Sequence, residues 1–295
     1  MHKNIMAQIQ GGLGNQLFQY ATAKALSIRL KRDLQLDISW FSHHWEDVTP
    51  RHFLLPELRI DYELTNHGQT IQSPKRWRRI AQRFLPLNPY ISKDRPFRFN
   101  SDLNTFKPYT SQDIYLMGYW QSYHYFNAIR DLLIKEIRPA NALSDHYQGY
   151  LEKILSRPSA MVHVRRGDYL HLPVAAKIHG FLGLDYYQKG FNLLLATDPN
   201  THFFVFSDDL KWAKDHLPRQ DNIYFVESID EKNAPVQELF LMSQCQKHLI
   251  ANSSLSWWGA WLSNSKVPLV IAPRYWATDR NKNWDDLLPQ HWQKI

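Results

Sequence analysis

Two adjacent arginines, Arg165 and Arg166, are the residues of this 295-residue sequence whose type and spacing most clearly suggest chemistry. They follow the apolar segment Ala160-Met161-Val162, which is typical of a buried strand. Guanidinium groups keep their charge and donate forked hydrogen bonds that match phosphate oxygens. At a strand end they could stabilise a departing diphosphate without a divalent cation. The alternative to phosphate binding is a structural role, and we expect one arginine to form an ion pair, such as Arg166 with Asp168. His163 in the same segment also fits a position in the core.

A glycine-rich turn lies near the start of the chain. The residues Gly11-Gly12-Leu13-Gly14-Asn15-Gln16 separate a strand-like segment, Ile5 to Gln10, from a helical pattern over Asn15 to Lys31. Such a turn offers backbone N–H groups and close approach to a ligand. It is not the dinucleotide fingerprint, because the third glycine of that pattern would fall at Leu17. A plain tight turn is the alternative.

Two more polar clusters follow apolar strand-like segments. In Ser207-Asp208-Asp209 the carboxylates could bind a cation, accept hydrogen bonds from a base or ribose, or cap a helix, with Ser207 or Asp208 best placed as the cap. The other cluster starts a tryptophan-rich helix, where hydroxyls and backbone donors suit phosphate or an N-cap followed by core aromatics. Its candidate ligands are Asn252, Ser253, Ser254, Ser256 and Trp257.

Short apolar strands that alternate with helices predict an α/β fold with doubly wound parallel sheets. Ligands bind at the carboxyl ends of such strands, where all four clusters lie. The pattern breaks between 138 and 158, and we therefore predict domains at 1–145 and 146–295, with a final segment that packs back on the first. The predicted elements include a strand at Tyr115 to Trp120 and helices at Tyr123 to Ile137 and Ser256 to Leu262.

The composition is that of a folded globular protein with an anionic partner. The net charge is +7 and the pI about 9.3, and a basic run covers 75–83. That run could contact an anionic membrane, bind nucleic acid or form a solvated helix face, and a basic nucleic-acid-binding protein is the alternative from another class. The single cysteine, Cys245, indicates a reducing compartment. No apolar run is long enough for a spanning helix, so we expect a cytoplasmic protein without a signal peptide.

The sequence gives little support for a metal site. It has 14 histidines, but His43 and His44 lack the i, i+4 spacing of a helical zinc pair, and no cysteine cluster exists. A metal-dependent hydrolase that uses Asp208 and Asp209 is therefore disfavoured. We expect no metal and no cofactor.

Together, these clusters resemble the α-1,2-fucosyltransferases of glycosyltransferase family 11, of the bacterial type. Each motif alone is weak, but their order and spacing are specific. Residues 39 to 110 carry no matching motif. The matching segments are Gly11 to Ala21, Gly118 to Ser122 with Tyr125 and Phe126, His163 to Tyr169, Phe206 to Asp209 and Leu241 to Leu262.

The resemblance implies a GT-B architecture, in which two Rossmann-like domains face each other across a cleft. The first domain would bind the acceptor and the second GDP-fucose. The implied reaction is an inverting, metal-independent transfer from GDP-β-L-fucose to the 2-hydroxyl of a terminal β-galactose. An α-1,6 enzyme is the alternative within the class, because the Arg-Arg loop is shared. The implied partners are the sugar nucleotide and a glycan, with possible membrane contact through 75–83 and no nucleic acid.

The resemblance also implies roles for individual residues. Arg165 would hold the β-phosphate, while His163 and Asp168 would order the same loop or touch the nucleotide. Either Asp208 or Asp209 would meet the guanine or ribose. The remaining donor-site candidates are Gly12, Gly14, Arg166, Asn252, Ser253, Ser254, Ser256 and Trp257.

Asn15 would lie beside the attacking hydroxyl, because it matches the asparagine of this turn in related fucosyltransferases. No residue is singled out as the base that receives the acceptor's proton. Glu238 is a candidate for this role on a predicted helix, and an exposed surface position is the alternative.

Overall fold

The computed structural model of the protein describes residues 3–43, 50–65, 90–101, 103, 112–167, 180–265 and 268–295. The basic run 75–83 and Asp168 lie outside the described residues. The chain forms two compact units. The first contains Met1–Pro56 and Ile60–Lys135, and the second contains Glu57–Arg59 and Glu136–Ile295.

The first unit is built on a five-stranded sheet whose described pairs are all parallel, in the order β3-β2-β1-β5-β4. Its central strand β1 buries Ile5, Met6 and Ala7, as expected for a strand covered on both faces. Helix α1, Leu13–Leu30, follows β1 and leads to β2. The strands are β1 Asn4–Gln8, β2 Asp33–Asp37, β3 Glu63–Leu64, β4 Tyr90–Lys93 and β5 Ile114–Met117.

The second unit is built on a six-stranded parallel sheet in the order β11-β10-β9-β6-β7-β8. Its central strand β6 is buried along its whole length, so it lies in the middle of the core. The strands are β6 Ser159–Val164, β7 His202–Ser207, β8 Ile223–Phe225, β9 Lys247–Leu249, β10 Leu269–Ala272 and β11 Gln293–Lys294.

Helices cover these sheets. A glycine in α7 permits close packing, because a Cβ on Gly259 would lie 2.7 Å from the Cβ of Met242 in α6. The helices after α1 are α2 Arg130–Glu136, α3 Asp145–Leu155, α4 Leu184–Thr197, α5 Leu210–His216, α6 Ala234–Gln244 and α7 Ser254–Trp261. Short 3₁₀ turns occupy Ser39–Ser42, Leu55–Glu57, Tyr123–Tyr125 and Asn127–Ile129.

The described structure corrects several predicted elements. The strand predicted to reach Trp120 ends at Met117, because Gly118 and Trp120 have φ angles of 130° and 55° that a strand cannot contain. The helix predicted over Tyr123 to Ile137 is two 3₁₀ turns followed by α2. Helix α3 lies in the stretch where the sequence pattern indicated only a break.

Two parts of the predicted domain organisation also differ from the described structure. Residues 136–145 belong to the second unit, where the N–H of Ser144 donates to Gln237 Oε1 at 2.7 Å. The final segment joins the second sheet: β11 pairs with β10, and the N–H of Ile295 donates to the Ala272 carbonyl. The pairing of β11 with β10 therefore holds these last residues in the second unit. The binding roles assigned to the two domains stay predictions.

Candidate active site

Each sheet collects polar residues at the edge where its strands reach their carboxyl ends. We call the group in the first unit the first edge; it contains Gly11, Gly12, Asn15, Asp94, Tyr119 and Gln121. We call the group in the second unit the second edge; it contains Arg165, Arg166, Asp208, Asp209, Ser253 and Ser254. Parallel strands place these residues together although they are far apart in sequence.

Asp208 organises the second edge. Its carboxylate accepts hydrogen bonds from the backbone N–H groups of Arg166 and Gly167, at 2.7 and 2.9 Å. The same carboxylate forms an ion pair with Arg165, with 3.1 Å between Nη1 and Oδ2. A Cβ on Gly167 would lie 3.0 Å from Oδ2, so the loop is closely fitted around this oxygen. Arg165 keeps 22% of its side chain exposed, which leaves its guanidinium accessible to a ligand.

Arg166 has a structural environment. Its Nε donates to Asp209 Oδ2 at 3.1 Å, and its guanidinium lies 4.7 Å from the Trp212 ring centroid and 5.1 Å from that of Phe181. Asp209 in turn caps α5 by accepting the N–H of Trp212 at 3.1 Å. The cap is therefore Asp209, and the prediction of Ser207 or Asp208 in that position is wrong. The described partner of Arg166 is Asp209; Asp168 lies outside the described residues.

His163 is buried in β6 beside this arrangement. Burial and the nearby Arg165 charge lower its pKa to about 4, although Asp208 acts in the opposite direction. Its ring is therefore neutral near pH 7. The core position that the sequence left open is the one that the structure has, because the His163 side chain is buried.

The strand end after β9 contains both buried and accessible residues. The Asn252 amide is buried and donates to the Gly180 and Trp276 carbonyls, at 3.3 and 3.4 Å. The Ser256 hydroxyl is buried against the carbonyls of Ala251 and Ser253. These two side chains brace the loop.

Trp257, predicted to contact the nucleotide, belongs to the core: it is fully buried, and its indole N–H donates to the Leu287 carbonyl at 2.8 Å. Ser253 and Ser254, by contrast, are only half-buried at the N-terminus of α7. The unpaired first-turn N–H groups of a helix favour an anion at this position. Of the predicted ligands in this segment, these two serines are the best placed to meet one.

The glycine turn of the first edge is held by Gln16. Its side chain donates to the carbonyls of Gly11 and His52, at 2.9 and 2.8 Å, and accepts the N–H of Leu54 at 3.0 Å. Gly11 has a φ of 77°, which favours glycine. Gly14, predicted as a ligand-binding residue, is buried in the first turn of α1, whereas Gly12 is half-buried at its start.

Asn15 forms a side-chain pair with Gln121, whose Nε2 donates to Asn15 Oδ1 at 2.9 Å. Gln121 follows β5, so the pair joins the glycine turn to the next strand in the sheet. The sequence motif pointed to this segment without giving Gln121 a role.

Asp94 was not identified from the sequence. It follows β4, and its Oδ2 accepts the N–H groups of Tyr119 and Trp120, at 3.2 and 3.0 Å. Burial raises the pKa of this carboxyl above its ordinary value, although the backbone hydrogen bonds act in the opposite direction. Asp94 therefore anchors the turn that carries Tyr119.

Glu238 is half-buried rather than exposed at the surface. It accepts a hydrogen bond from the Tyr147 hydroxyl at 3.1 Å, and burial raises its pKa. This contact joins α6 to α3, which gives Glu238 a structural task in the second unit.

The sequence of the chain matches that of a known family of enzymes. The sequence model of glycosyl transferase family 11 matches residues 4–295. The chain belongs to glycosyltransferase family 11. It is therefore a glycosyltransferase, as the motifs predicted.

Several named proteins are similar in sequence to this chain. An Escherichia coli α-1,2-colitosyltransferase is 33% identical over 298 residues, which cover 99% of this chain and 98% of that protein. The O-antigen biosynthesis glycosyltransferase WbnK of Escherichia coli is 32% identical, covering 93% and 95%. The galactoside α-(1,2)-fucosyltransferase 2 of Sus scrofa is 23% identical, covering 87% and 69%.

Solved structures show that this family 11 chain shares a mixed α/β fold with other transferases. The NodZ α-1,6-fucosyltransferase co-crystallised with GDP superposes with a TM-score of 0.52, at 14% identity, over 89% of this chain and 93% of that one. A mutant of FUT1 from Arabidopsis thaliana in complex with GDP gives 0.51, at 12% identity, over 95% and 73%. At these identities the likeness concerns the fold.

Within the described ranges, no three residues of the types His, Cys, Asp and Glu lie together as a potential metal site. Among the described helices, none is long and apolar enough to cross a membrane.

Proposed function

We propose that the protein is an inverting galactoside α-1,2-L-fucosyltransferase. It would transfer fucose from GDP-β-L-fucose to the 2-hydroxyl of a terminal β-galactose in a glycan. The α-1,2 linkage is supported by two similar proteins, the colitosyltransferase and the Sus scrofa fucosyltransferase. Their names give different sugars but the same linkage. The observation that carries the donor assignment is Arg165, a partly exposed cation that Asp208 holds at the second edge.

Arg165 would bind the β-phosphate of the donor and stabilise the charge that develops when the bond to C1 of fucose breaks. The half-buried N-terminus of α7, with Ser253 and Ser254, would contribute backbone donors to the same diphosphate. Arg166, Asp208, Asp209 and His163 would act by holding this arrangement. No metal is part of the proposal, because Arg165 and the backbone donors of α7 supply positive charge where a cation would otherwise be needed.

The acceptor would approach from the first edge, where Asn15 would contact the attacking hydroxyl. The acceptor oxygen forms the new bond to C1 as GDP leaves from the opposite face, so the configuration inverts. The hydroxyl proton must pass to a base, which the proposal leaves unassigned. A GT-B architecture belongs to the proposal.

The cellular setting is also proposed. A relative named for O-antigen biosynthesis supports a glycan acceptor of that type. The reaction would take place in the cytoplasm, with the basic run 75–83 in contact with the anionic inner face of the membrane.

A second candidate is an α-1,2-colitosyltransferase, because a protein with that name is 33% identical over nearly the whole chain. Colitose is L-fucose without its 3-hydroxyl, so the two donors differ by one polar group. A site built to hydrogen-bond this hydroxyl would reject the donor that lacks it.

The proposal is tested by incubating the purified protein with GDP-fucose or GDP-colitose and a panel of β-galactosides, with and without excess EDTA. We expect fucose on O2 of galactose by NMR linkage analysis, and the same rate in EDTA. Preferred transfer from GDP-colitose would establish the second candidate. Transfer to O6, or a requirement for a divalent cation, would refute the proposal.

A further inference from the structure

Tyr119 has no role in the proposed function, yet the fold presents it at the first edge. It lies two residues after the end of β5, and 39% of its surface is exposed. Its neighbours in the turn are Trp120, which is 1% exposed, and Gln121, which is 9% exposed. The turn therefore leaves one large aromatic side chain partly exposed, while it buries the side chains on its C-terminal side.

The backbone of this turn is held in an unfavourable conformation. Trp120 has a φ of 55°, which is rare for an aromatic residue, and Gly118 has a φ of 130°. A Cβ on Gly118 would lie 2.2 Å from the Cβ of Asp94, so only glycine fits there. Such conformations persist when surrounding groups enforce them, and they are concentrated at functional sites.

Two side chains enforce the conformation. Asp94 accepts the N–H groups of both Tyr119 and Trp120. The Trp120 ring packs edge-on against Tyr125, with 5.5 Å between the ring centroids. The backbone of Tyr119 is thus held by Asp94 and by the packing of its neighbour Trp120, which lowers the cost of ordering this turn around a ligand.

The surroundings of the ring are rich in amide groups. A Cβ on Gly11 would lie 3.6 Å from Tyr119 Cε1 and 3.0 Å from Asn15 Nδ2, so the ring and the amide flank the same point. The hydrogen bond between these two amides uses Nε2 of Gln121 and Oδ1 of Asn15. It leaves the Asn15 NH₂ group as a donor and the Gln121 carbonyl oxygen as an acceptor. Within the described part of the chain, neither amide has another side-chain partner.

A partly exposed aromatic ring, beside an amide donor and acceptor that have no other side-chain partner among the described residues, suits a neutral pyranose. The C–H bonds at C3, C4 and C5 of β-galactose form an apolar patch that can lie on a ring, while its hydroxyls bind amides. We infer that Tyr119 is the residue on which the acceptor galactose stacks, with Gln121 and Asn15 bonding its hydroxyls and Asp94 acting as a positioning residue. This inference rests on the proposed function and assigns its acceptor site.

The test compares Tyr119→Ala, Tyr119→Leu and Tyr119→Phe. We expect Tyr119→Ala and Tyr119→Leu to raise the acceptor KM about 5- to 10-fold, because an aromatic contact contributes this much to affinity. Tyr119→Phe retains the ring and should stay within about 2-fold of the wild type. The KM for the sugar nucleotide and its slow hydrolysis without acceptor should not change in any variant.

The matched control is Ile28→Ala. Ile28 is 44% exposed in the same unit, near the opposite end of α1 from Asn15. This change should leave both KM values unaltered. Tyr119→Leu retains apolar bulk against Gly11, so it remains informative if Tyr119→Ala lowers the melting temperature.

An unchanged acceptor KM in both Tyr119→Ala and Tyr119→Leu would overturn the inference, as would an equal rise in the donor KM. These outcomes are distinct from failure of the proposed function, which would appear in the wild type as no transfer to any β-galactoside.

Discussion

The two edges use the same anchoring device for different chemistry. At the second edge Asp208 accepts two successive backbone N–H groups, those of Arg166 and Gly167. At the first edge Asp94 does the same for Tyr119 and Trp120. In both, a carboxylate that follows one strand fixes the loop that follows its neighbour in the sheet.

What differs is the side chain that each loop presents. Asp208 also forms an ion pair with Arg165, so the second edge keeps a cation and an anion together. The second oxygen of Asp94 is buried without a hydrogen-bond partner among the described residues, and the loop presents the Tyr119 ring. This contrast between a charged edge and an aromatic edge is the one that the proposed diphosphate donor and neutral sugar acceptor require.

The largest effect is expected when the positive charge of Arg165 is removed. Arg165→Ala should lower kcat about 10²- to 10³-fold, because the leaving diphosphate loses its main positive partner. Arg165→Lys should recover little, since a lysine lacks the forked donors. Steady-state kinetics with the acceptor varied should show an acceptor KM close to that of the wild type. Near-normal rates in either variant would contradict the phosphate role.

A smaller effect is expected from the anchor of the second edge. Asp208→Asn should weaken GDP binding about 10-fold, because the amide loses the charge that orients Arg165. Isothermal titration with GDP and ADP separates two roles of this residue. If Asp208 positions the loop, the ratio of the two affinities should not change; a collapse of that ratio would instead mean that Asp208 contacts the guanine.

The corresponding change at the first edge, at Asp94, should alter the KM for the acceptor and leave that for the sugar nucleotide unchanged. Asp94→Ala releases the two N–H groups that hold Tyr119, and we expect the acceptor KM to rise about 3- to 5-fold with a lower melting temperature. Asp94→Asn retains an acceptor oxygen and should have the smaller effect. The sugar-nucleotide KM serves as the internal control, and its rise in parallel would argue for general damage to the fold.

A separate effect, on stability rather than on catalysis, is expected in acid from the second unit. Burial lowers the pKa of both His163 and His248 to about 4. These rings are neutral in the folded protein, whereas unfolding lets them bind protons below their ordinary pKa near 6.5. The free energy of unfolding should therefore decrease as pH falls from about 6.5 towards 4, by on the order of 1–2 kcal/mol for each histidine at pH 5.

Urea denaturation at pH 7 and pH 5 measures this loss. His163→Gln and His248→Gln should each reduce the difference between the two pH values, and the exposed His291→Gln is the control. Equal pH dependence in all four proteins would exclude the buried rings as its source.

Local patterns allowed much of the second edge to be predicted from the sequence. An apolar strand followed by Arg165 and Arg166, and another followed by Asp208, are visible within a few residues, and both strands lie where the sequence indicated. The partner of Arg166 was not visible in this way, because Asp209 is 43 residues distant and the nearer Asp168 was the obvious candidate. Only the pairing of β6 with β7 brings the two residues together.

The first edge was harder to predict for a related reason. Gly118 to Trp120 continues the apolar character of β5, and a sequence does not show that an aromatic residue will take a positive φ. The anchor of this turn, Asp94, depends on β4 lying beside β5. Trp257 shows the opposite error: its position beside the polar loop suggested a ligand contact, but its helix turns it into the core.

Strand β11 has one more consequence, which concerns aggregation. It contains only Gln293 and Lys294, yet it covers one side of β10, whose sequence Leu269-Val270-Ile271-Ala272 is entirely apolar. Trp292 holds it in place against Trp257, with 5.6 Å between ring centroids. Without those residues, β10 would expose a row of unpaired N–H and carbonyl groups on a strongly β-forming segment, which is a template for pairing with another chain. Strand β11 thus covers an edge of the second sheet that could otherwise pair with another chain.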